Sequence, residues 1–283
     1  MITPATLHRT VSAALEEDAP WGDITSIALL PADALATADL IAREAGVFSG
    51  GEVFAASFIL TDPAVQVDLH VADGDRFDAG DALASVSGPA RSLLTAERVA
   101  LNFTQRMSGI ATLTAAYVDA VTGTGVRIAD TRKTTPGLRE FERHAVLSGG
   151  GSNHRRSLSD AVMAKDNHLE VLRQGGQDLA SALREALARL PHTTHVVMEV
   201  DRLDQIPAVL DGGADTVLLD NFSLDDLRTA AGLLAGRATA EASGGVSLNT
   251  VRAIAETGVQ VISVGALTHS ARALDLGLDL RIG

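Results

Sequence analysis

The chain has 283 residues, which is enough for one large domain or two modest ones. Hydrophobic residues make up 46% and charged residues 21%, a globular composition that excludes a disordered or fibrous chain. A net charge of −13 with only 3% aromatic residues argues against nucleic acid and anionic membranes as partners. The absence of cysteine excludes disulfides, zinc-thiolate sites and thiol catalysis, and it fits a reducing compartment.

The N-terminal segment predicts a helix and shows no export signal. Apolar residues recur with helical spacing over Ile2–Glu17, and Asp18 closes an acidic run. Neither the apolar core of a signal peptide nor a stretch long enough to span a membrane is found. We therefore expect a soluble cytoplasmic protein.

The first hundred residues predict short extended segments. Trp21–Ser26 predicts a turn that leads into them, and strands are predicted over Leu40–Phe48, Val65–Val71 and Asp81–Val86. Lipoyl- and biotin-carrier domains share such a pattern, but they need a lysine at a hairpin tip. Residues 1–132 contain no lysine, so that alternative fails.

From Thr95 onward the apolar period becomes helical. One stripe is apolar and a second stripe, which begins at Arg98, is polar. Spacing alone therefore favours Arg98 as a solvated arginine on a helix surface.

After residue 125, short apolar strands alternate with helical segments. Strands are predicted over 126–129, 195–198, 215–219, 238–242 and 259–264, and helices over 203–211, 224–235 and 248–257. Regular alternation with short loops implies parallel strands with right-handed crossovers, which close into a βα barrel when repeated. A polar or glycine residue follows each strand, so we expect the active site at the carboxyl ends of the strands.

The segment Arg127–Lys165 is basic within an acidic protein. It contains eight basic and four acidic residues, including both lysines of the chain, Lys133 and Lys165. A local cationic region attracts small anions, and arginine binds carboxylates and phosphates through two hydrogen bonds at once. A solvated basic loop is the alternative, but Arg132 and Lys133 follow a predicted strand and Lys165 follows a short apolar run.

Two glycine loops and three carboxylates follow the later strands. Ser243-Gly244-Gly245 precedes a predicted helix and, with Gly265-Ala266, predicts a phosphate site at the last two strand ends. Glu199, Asp201 and Asp220 predict either a Mg²⁺ site shared with pyrophosphate or acceptors for ribose hydroxyls, with ordinary ion pairs as the alternative. The residues alone predict a barrel enzyme for a phosphorylated substrate and a small dianion, and they leave the reaction open.

Several longer motifs together resemble one enzyme family. They are Asp130-Thr131-Arg132-Lys133-Thr134-Thr135-Pro136-Gly137-Leu138-Arg139, Gly149-Gly150-Gly151-Ser152-Asn153-His154-Arg155, Lys165-Asp166-Asn167-His168, Thr95-Ala96-Glu97-Arg98, Ser108-Gly109-Ile110-Ala111-Thr112, Glu241-Ala242-Ser243-Gly244-Gly245 and Ser263-Val264-Gly265-Ala266-Leu267-Thr268-His269-Ser270. Together these motifs resemble the quinolinate phosphoribosyltransferases, also called nicotinate-nucleotide pyrophosphorylases (carboxylating). The resemblance extends from about Glu17 to Asp279.

The resemblance implies a fold and a reaction. The fold is an open α/β sandwich over residues 1–108, with the tail 268–283 packed on it, followed by an incomplete βα (TIM-like) barrel over 109–267. The reaction converts quinolinate and phosphoribosyl pyrophosphate into nicotinate mononucleotide, pyrophosphate and CO₂ with Mg²⁺, as a step of NAD biosynthesis. The resemblance also implies a homodimer in which Arg98 reaches the site of the partner subunit, which reverses the solvated interpretation.

The resemblance also assigns roles to individual residues. Arg132 and Arg155, with Arg98 from the neighbouring subunit, would bind the two quinolinate carboxylates, and His154 would line their pocket. Thr131 belongs to the same motif and is expected to contact substrate. The other expected positions are Lys133 and Lys165 between the two substrates, Glu199 and Asp220 at the ribose hydroxyls and the metal (directly or through pyrophosphate), and Ser243, Gly244, Gly245, Val264, Gly265 and Ala266 at the 5′-phosphate.

Three alternatives share the scaffold. A molybdenum-transport-associated paralogue would differ at the Lys165–His168 motif, which is intact here. A nicotinate-using phosphoribosyltransferase would not need so many cations for a second carboxylate. A non-enzymatic sensor of a phosphorylated metabolite would bind without releasing pyrophosphate.

Overall fold

The computed structural model describes residues 2–173 and 176–282. The chain forms two compact units, each built from more than one stretch of sequence. The first unit consists of residues 1–115, 134–150 and 267–283, and the second of residues 116–133 and 151–266. The sequence-based boundary between residues 108 and 109 stays a prediction.

The elements alternate between helix and strand along most of the chain. Up to residue 120 they are α1 Pro4–Asp18, α2 Ile24–Leu29, β1 Leu35–Ala42, β2 Gly46–Val47, α3 Gly51–Thr61, β3 Gln66–Leu69, β4 Arg76–Phe77, β5 Ala82–Pro89 and α4 Ala90–Ala120. The later ones are β6 Arg127–Ala129, α5 Arg139–Ser148, β7 Val162–Ala164, α6 Asp166–Arg173, α7 Leu179–Leu187, β8 Val196–Val200, a 3-10 turn Leu203–Gln205, α8 Ile206–Asp211, β9 Thr216–Asp220, α9 Leu224–Leu234, β10 Thr239–Ser243, α10 Val251–Ala255, β11 Val261–Ser263, α11 Ala266–His269 and β12 Leu276–Ile282. None of the described helices combines the length and apolarity that a membrane span requires.

The first unit is built on an antiparallel sheet in the order β12-β1-β5-β3. Alternate residues of β1 are buried, as expected for a strand with one face in the core. They pack with Phe54 and Phe58 of α3, whose ring centroids lie 5.0 Å apart in an edge-on arrangement. Phe54 and Phe58 meet because residues four apart share one helix face.

Two short segments of the first unit differ from the sequence-based expectation. The turn expected over Trp21–Ser26 gives way to a helix at Ile24, because Asp23 accepts hydrogen bonds from the N–H groups of Thr25 and Ser26 and caps α2. The single strand expected over Leu40–Phe48 is interrupted between β1 and β2. Glu44 lies in that interruption and forms an ion pair with Arg272.

Residues 134–150 belong to the first unit although basic motifs surround them in sequence. Glu142 of α5 is buried and accepts hydrogen bonds from Arg106 Nη2 at 2.8 Å and from the N–H of Thr135 at 3.0 Å. Arg139 and Arg143 lie on this helix. The basic segment of the sequence is therefore divided between the two units.

The second unit contains six parallel strands in the order β6-β11-β10-β9-β8-β7. Parallel strands with intervening helices confirm the predicted α/β class and the barrel-type arrangement. The strands β6 and β7 lie at the two ends of this order, and an isolated parallel bridge joins Ala129 to Ser152 beside β6. The barrel is thus incomplete within the described residues, as predicted.

Candidate functional site

The carboxyl ends of the parallel strands surround a cavity of about 390 Å³ in the second unit, which we call the strand-end cavity. Nine residues singled out from the sequence line it: Thr131, Arg132, Lys133, His154, Arg155, Lys165, Glu199, Asp220 and Ser243. Met163, Leu218, Glu241 and Ser263 complete the lining. Because all six strands run in one direction, residues that follow each strand meet at the same edge of the sheet.

Four of the eight basic residues in segment 127–165 line the strand-end cavity, namely Arg132, Lys133, Arg155 and Lys165. Burial lowers the pKa of Arg155, the positive charge of Arg132 lowers it further, and Asp160 opposes the shift. Within the described residues the buried Arg132 Nε has no hydrogen-bond partner. Two neighbouring guanidinium groups, one of which has a buried donor without a partner, favour a bound anion.

The carboxylates on the neighbouring strands β8 and β9 are held by local partners. Lys165 Nζ forms an ion pair with Glu199, whose side chain is 18% exposed. Asp220 ends β9 and accepts a hydrogen bond from the Asn221 side-chain amide at 2.8 Å. Asn221 is the one non-glycine residue with a positive φ among the described residues, and asparagine tolerates that conformation.

The loop Ser243–Gly245 has the backbone of an anion site. Gly244 and Gly245 have φ of 95° and 58°, and consecutive left-handed residues present adjacent N–H groups. A Cβ on Gly244 would lie only 2.2 Å from Asn221 Oδ1, so a side chain is excluded there. The helix predicted over 248–257 is present but begins later than expected, because a turn closed by Ser247 and Thr250 delays the start of α10 until Val251.

The remaining predicted residues do not line the strand-end cavity. Val264 is buried and donates its N–H to the Ala129 carbonyl at 2.9 Å, which fixes the start of the Val264–Ala266 loop beside β6. Gly244 and Gly245 follow Ser243 in the glycine loop. Arg98 is exposed on α4 in the first unit, and its contribution to a partner's site stays a prediction.

The sequence analysis assigns no role to Glu241 and Asn221, although Glu241 is the first residue of one of the family motifs. Glu241 is 3% exposed although it is a carboxylate in the middle of β10. A lone acidic residue between Ala240 and Ala242 in a buried strand is a usable signal, because charges are rarely buried without a partner. No comparable signal marks Asn221, whose role depends on its φ angle.

Family models match nearly the whole chain. The quinolinate phosphoribosyl transferase N-terminal domain matches residues 23–108, and the C-terminal domain of the same family matches residues 110–279. The chain is 43% identical over 280 residues to nicotinate-nucleotide pyrophosphorylase [carboxylating] from Mycobacterium leprae, covering 96% of each protein. It is 39% identical to the probable nicotinate-nucleotide pyrophosphorylase [carboxylating] of Bacillus subtilis, covering 94% of the chain and 90% of that relative.

The fold is similar to a solved structure as well. NadC from Streptococcus pyogenes superposes with a TM-score of 0.94 at 41% identity. The match covers 100% of this chain and 99% of that one.

Proposed function

Because the chain belongs to the quinolinate phosphoribosyltransferase family, we propose that it transfers a phosphoribosyl group to quinolinate and releases CO₂ and pyrophosphate. The product is nicotinate mononucleotide, which serves NAD biosynthesis. The observation that supports this proposal is that Arg132 and Arg155 lie close together and line one cavity with Lys133 and Lys165. Quinolinate carries two adjacent carboxylates, and such a cationic wall matches both of them.

The other side of the cavity suits the phosphoribosyl donor. Glu199 and Asp220 provide acceptors for ribose hydroxyls, and the Ser243–Gly245 loop provides N–H groups for a phosphate. The charge balance agrees, because a dianion and a pyrophosphate need the cations that this cavity supplies.

The two carboxylates also fit Mg²⁺ when pyrophosphate shares the ion. No group of three or more His, Cys, Asp or Glu side chains suited to a metal occurs among the described residues. Magnesium is commonly held by one or two carboxylates together with substrate phosphates and water, so Glu199 and Asp220 fit this mode. When bound, Mg²⁺ neutralises charge that develops on the leaving pyrophosphate.

The residues then act mainly by position and charge. The bond from the anomeric carbon to pyrophosphate breaks, the quinolinate ring nitrogen bonds to that carbon, and Glu199 and Asp220 stabilise the positive charge that forms. The pyridinium nitrogen draws electrons from the adjacent ring carbon, so its carboxylate departs as CO₂. The electron pair left on that carbon takes a proton. Arg132 and Arg155 hold the quinolinate ring in position during both steps.

One of the two lysines assists decarboxylation. Lys133 and Lys165 are the only lysines of the chain, and both line the strand-end cavity. Replacing either with alanine is expected to slow single-turnover CO₂ release. Weaker binding with unchanged CO₂ release would contradict this role for that lysine.

The proposal includes a cytoplasmic homodimer in which Arg98 completes the partner's site. Arg98 is exposed on α4, which leaves its guanidinium available to a second subunit. Mixing an inactive Arg98→Ala chain with an inactive Arg132→Ala chain should restore activity, because one site of the mixed dimer then has both arginines. Failure of the mixture to recover, although mixed dimers form, would contradict a shared site.

The reaction is tested with purified protein, Mg²⁺ and phosphoribosyl pyrophosphate, with quinolinate or nicotinate as the acceptor. We expect CO₂ and pyrophosphate with quinolinate only, and no turnover after chelation of the metal. Pyrophosphate release with nicotinate would indicate the nicotinate-using alternative. Absence of turnover with both acceptors would favour the paralogue or the sensor.

A further inference from the structure

Glu241 is a buried carboxylate to which the reaction described above gives no role. It lies in the middle of β10, paired with Val261 of β11 and Leu218 of β9, and it is 3% exposed. Burying a carboxylate is unfavourable unless donors surround it, so its partners indicate what it does.

Glu241 forms a partition inside the barrel together with His154 and Arg155. A second cavity of about 380 Å³, which we call the strand-start cavity, is lined by residues near the beginnings of the same strands, including Arg127, His195 and Thr239. Glu241, His154 and Arg155 are the described residues that line both cavities. They therefore form the floor of the strand-end cavity.

The contacts of Glu241 fix its own carboxylate and the His154 ring. Ser263 Oγ donates a hydrogen bond to Glu241 Oε1, and His154 Nε2 lies 3.3 Å from the same oxygen. On the other side of the ring, the main-chain N–H of Arg155 donates to His154 Nδ1 at 2.6 Å. The main-chain N–H of His154 is itself held by Asp130 Oδ1 at 2.7 Å.

These contacts determine which ring nitrogen carries the hydrogen. Nδ1 accepts from a main-chain N–H at short distance, so it holds no hydrogen of its own. The hydrogen of the ring is then on Nε2, which faces the Glu241 carboxylate. With both nitrogens engaged by the protein, no ring N–H is left for a substrate in the strand-end cavity.

We propose that Glu241 is a positioning residue that orients the His154 ring through its Nε2–H, so that the ring presents a flat surface to quinolinate. The inference rests on the proposed function for the identity of the substrate. His154 then supplies shape, and the selectivity for two carboxylates comes from Arg132, Arg155 and the lysines. This excludes His154 as a general acid or as a cation for the substrate.

The direct test is nitrogen NMR of isotope-labelled histidine in the free full-length protein. We expect His154 to show an unprotonated Nδ1 and a protonated Nε2, unchanged when quinolinate binds. Replacing Glu241 with leucine should shift the Nε2 resonance, because its acceptor is lost, whereas the same-strand control Thr239→Ser should leave that resonance unchanged. Protonation at Nδ1 in the wild type, alone or together with Nε2, would overturn the proposal.

A double-mutant cycle tests the function of the ring. His154→Phe keeps a flat ring but leaves Glu241 unpaired, and Glu241→Leu removes the acceptor, so each is expected to raise KM for quinolinate by about tenfold or more. The double variant removes both polar partners together. It should recover most of the loss, with a pH profile of kcat/KM that keeps the wild-type shape.

Two outcomes would contradict the role of the pair. One is a double variant as impaired as His154→Phe, and the other is loss of one limb of the pH profile. If Glu241→Leu does not fold, Glu241→Met replaces it in both experiments, because its side chain has a similar length and no carboxylate. Absence of quinolinate turnover in the wild type would refute the proposed function. The NMR result would still decide which ring nitrogen of His154 carries the hydrogen.

Discussion

The two ends of the parallel sheet in the second unit carry cavities of nearly equal volume and opposite character. The strand-end cavity has about 390 Å³ and the strand-start cavity about 380 Å³. At the starts of the strands, polar side chains are paired with one another or with the main chain. His195 Nε2 lies 2.9 Å from Thr216 Oγ1, and Asp215 accepts the N–H of Val196 at 2.8 Å.

At the strand ends, by contrast, four cations line one cavity, namely Arg132, Lys133, Arg155 and Lys165. Arg132 and Arg155 approach each other closely enough to lower the pKa of Arg155, and Arg132 Nε is buried without a partner in the described structure. Cavity size therefore does not distinguish the two ends. Chain direction does, because side chains that follow the strands line the strand-end cavity, where βα barrels place their active sites.

The largest effect is expected from removing a guanidinium at the strand ends. Arg132→Ala should lower kcat/KM for quinolinate. The expected loss of transition-state stabilisation is about 2–5 kcal/mol, because a desolvated substrate carboxylate loses its bidentate contact with the guanidinium. Arg127→Ala at the opposite cavity is the matched control and should change kcat/KM less than about twofold. Equal losses in the two variants would remove the distinction between the two ends.

The next largest effect is expected from removing the charge of a carboxylate at the strand ends. Asp220→Asn should lower kcat by about a hundredfold, because it removes negative charge from the ribose side of the cavity. Asp215→Asn at the strand starts keeps an oxygen that can accept the Val196 N–H, so steady-state kinetics should be unchanged. A Asp220→Asn variant with wild-type kcat would contradict the proposed electrostatic role.

Two glycine substitutions, one in the loop after β10 and one in α9, test whether that loop binds a phosphate. Gly244→Ala places a Cβ on Asn221 and forces alanine to φ of 95°, so KM for phosphoribosyl pyrophosphate should rise about tenfold. Gly232→Ala in α9 meets open space, and it should raise the free energy of unfolding by about 0.5–1 kcal/mol without changing KM. An unchanged KM in Gly244→Ala would argue against a phosphate at this loop.

The smallest effect concerns an ion pair of the first unit. A hydrogen bond from Arg272, supported by the N–H of Asp275, lowers the pKa of Glu44 to about 2. The stabilisation is therefore full above pH 4.5 and is lost as the pH falls from about 4.5 to 2. Glu44→Gln should lower Tm slightly at neutral pH, match the wild type near pH 2 and leave turnover unchanged. A difference in Tm that persists undiminished at pH 2 would contradict this linkage.

Much of the difference between the two ends of the sheet is predictable from the sequence. The apolar periodicity of the strands and the polar or glycine residues that follow them are local features of the chain. Arg132 and Asp220 follow predicted strands, and Lys165 follows a short apolar run, so their common position is expected once the strands are taken as parallel. The family resemblance adds the roles, and the matches over residues 23–108 and 110–279 confirm the family.

The remainder depends on features that local patterns do not contain. Helix α3 was not anticipated, because its apolar residues leave no polar stripe to give a helical period. Arg139 and Arg143 belong to the first unit because the buried Glu142 binds Arg106, a contact between distant parts of the sequence. Glu241 and His154 likewise meet only through the fold.

We propose above that quinolinate binds in the strand-end cavity and loses one of its two carboxylates as CO₂. The most direct measurement uses quinolinate carrying an isotope label on the carboxylate next to the ring nitrogen, with pyrophosphate measured in parallel. We predict that the label leaves as CO₂ in equal amount to pyrophosphate, while the other carboxylate stays in the nucleotide. Pyrophosphate release with the label retained, or CO₂ release without phosphoribosyl pyrophosphate, would contradict the account.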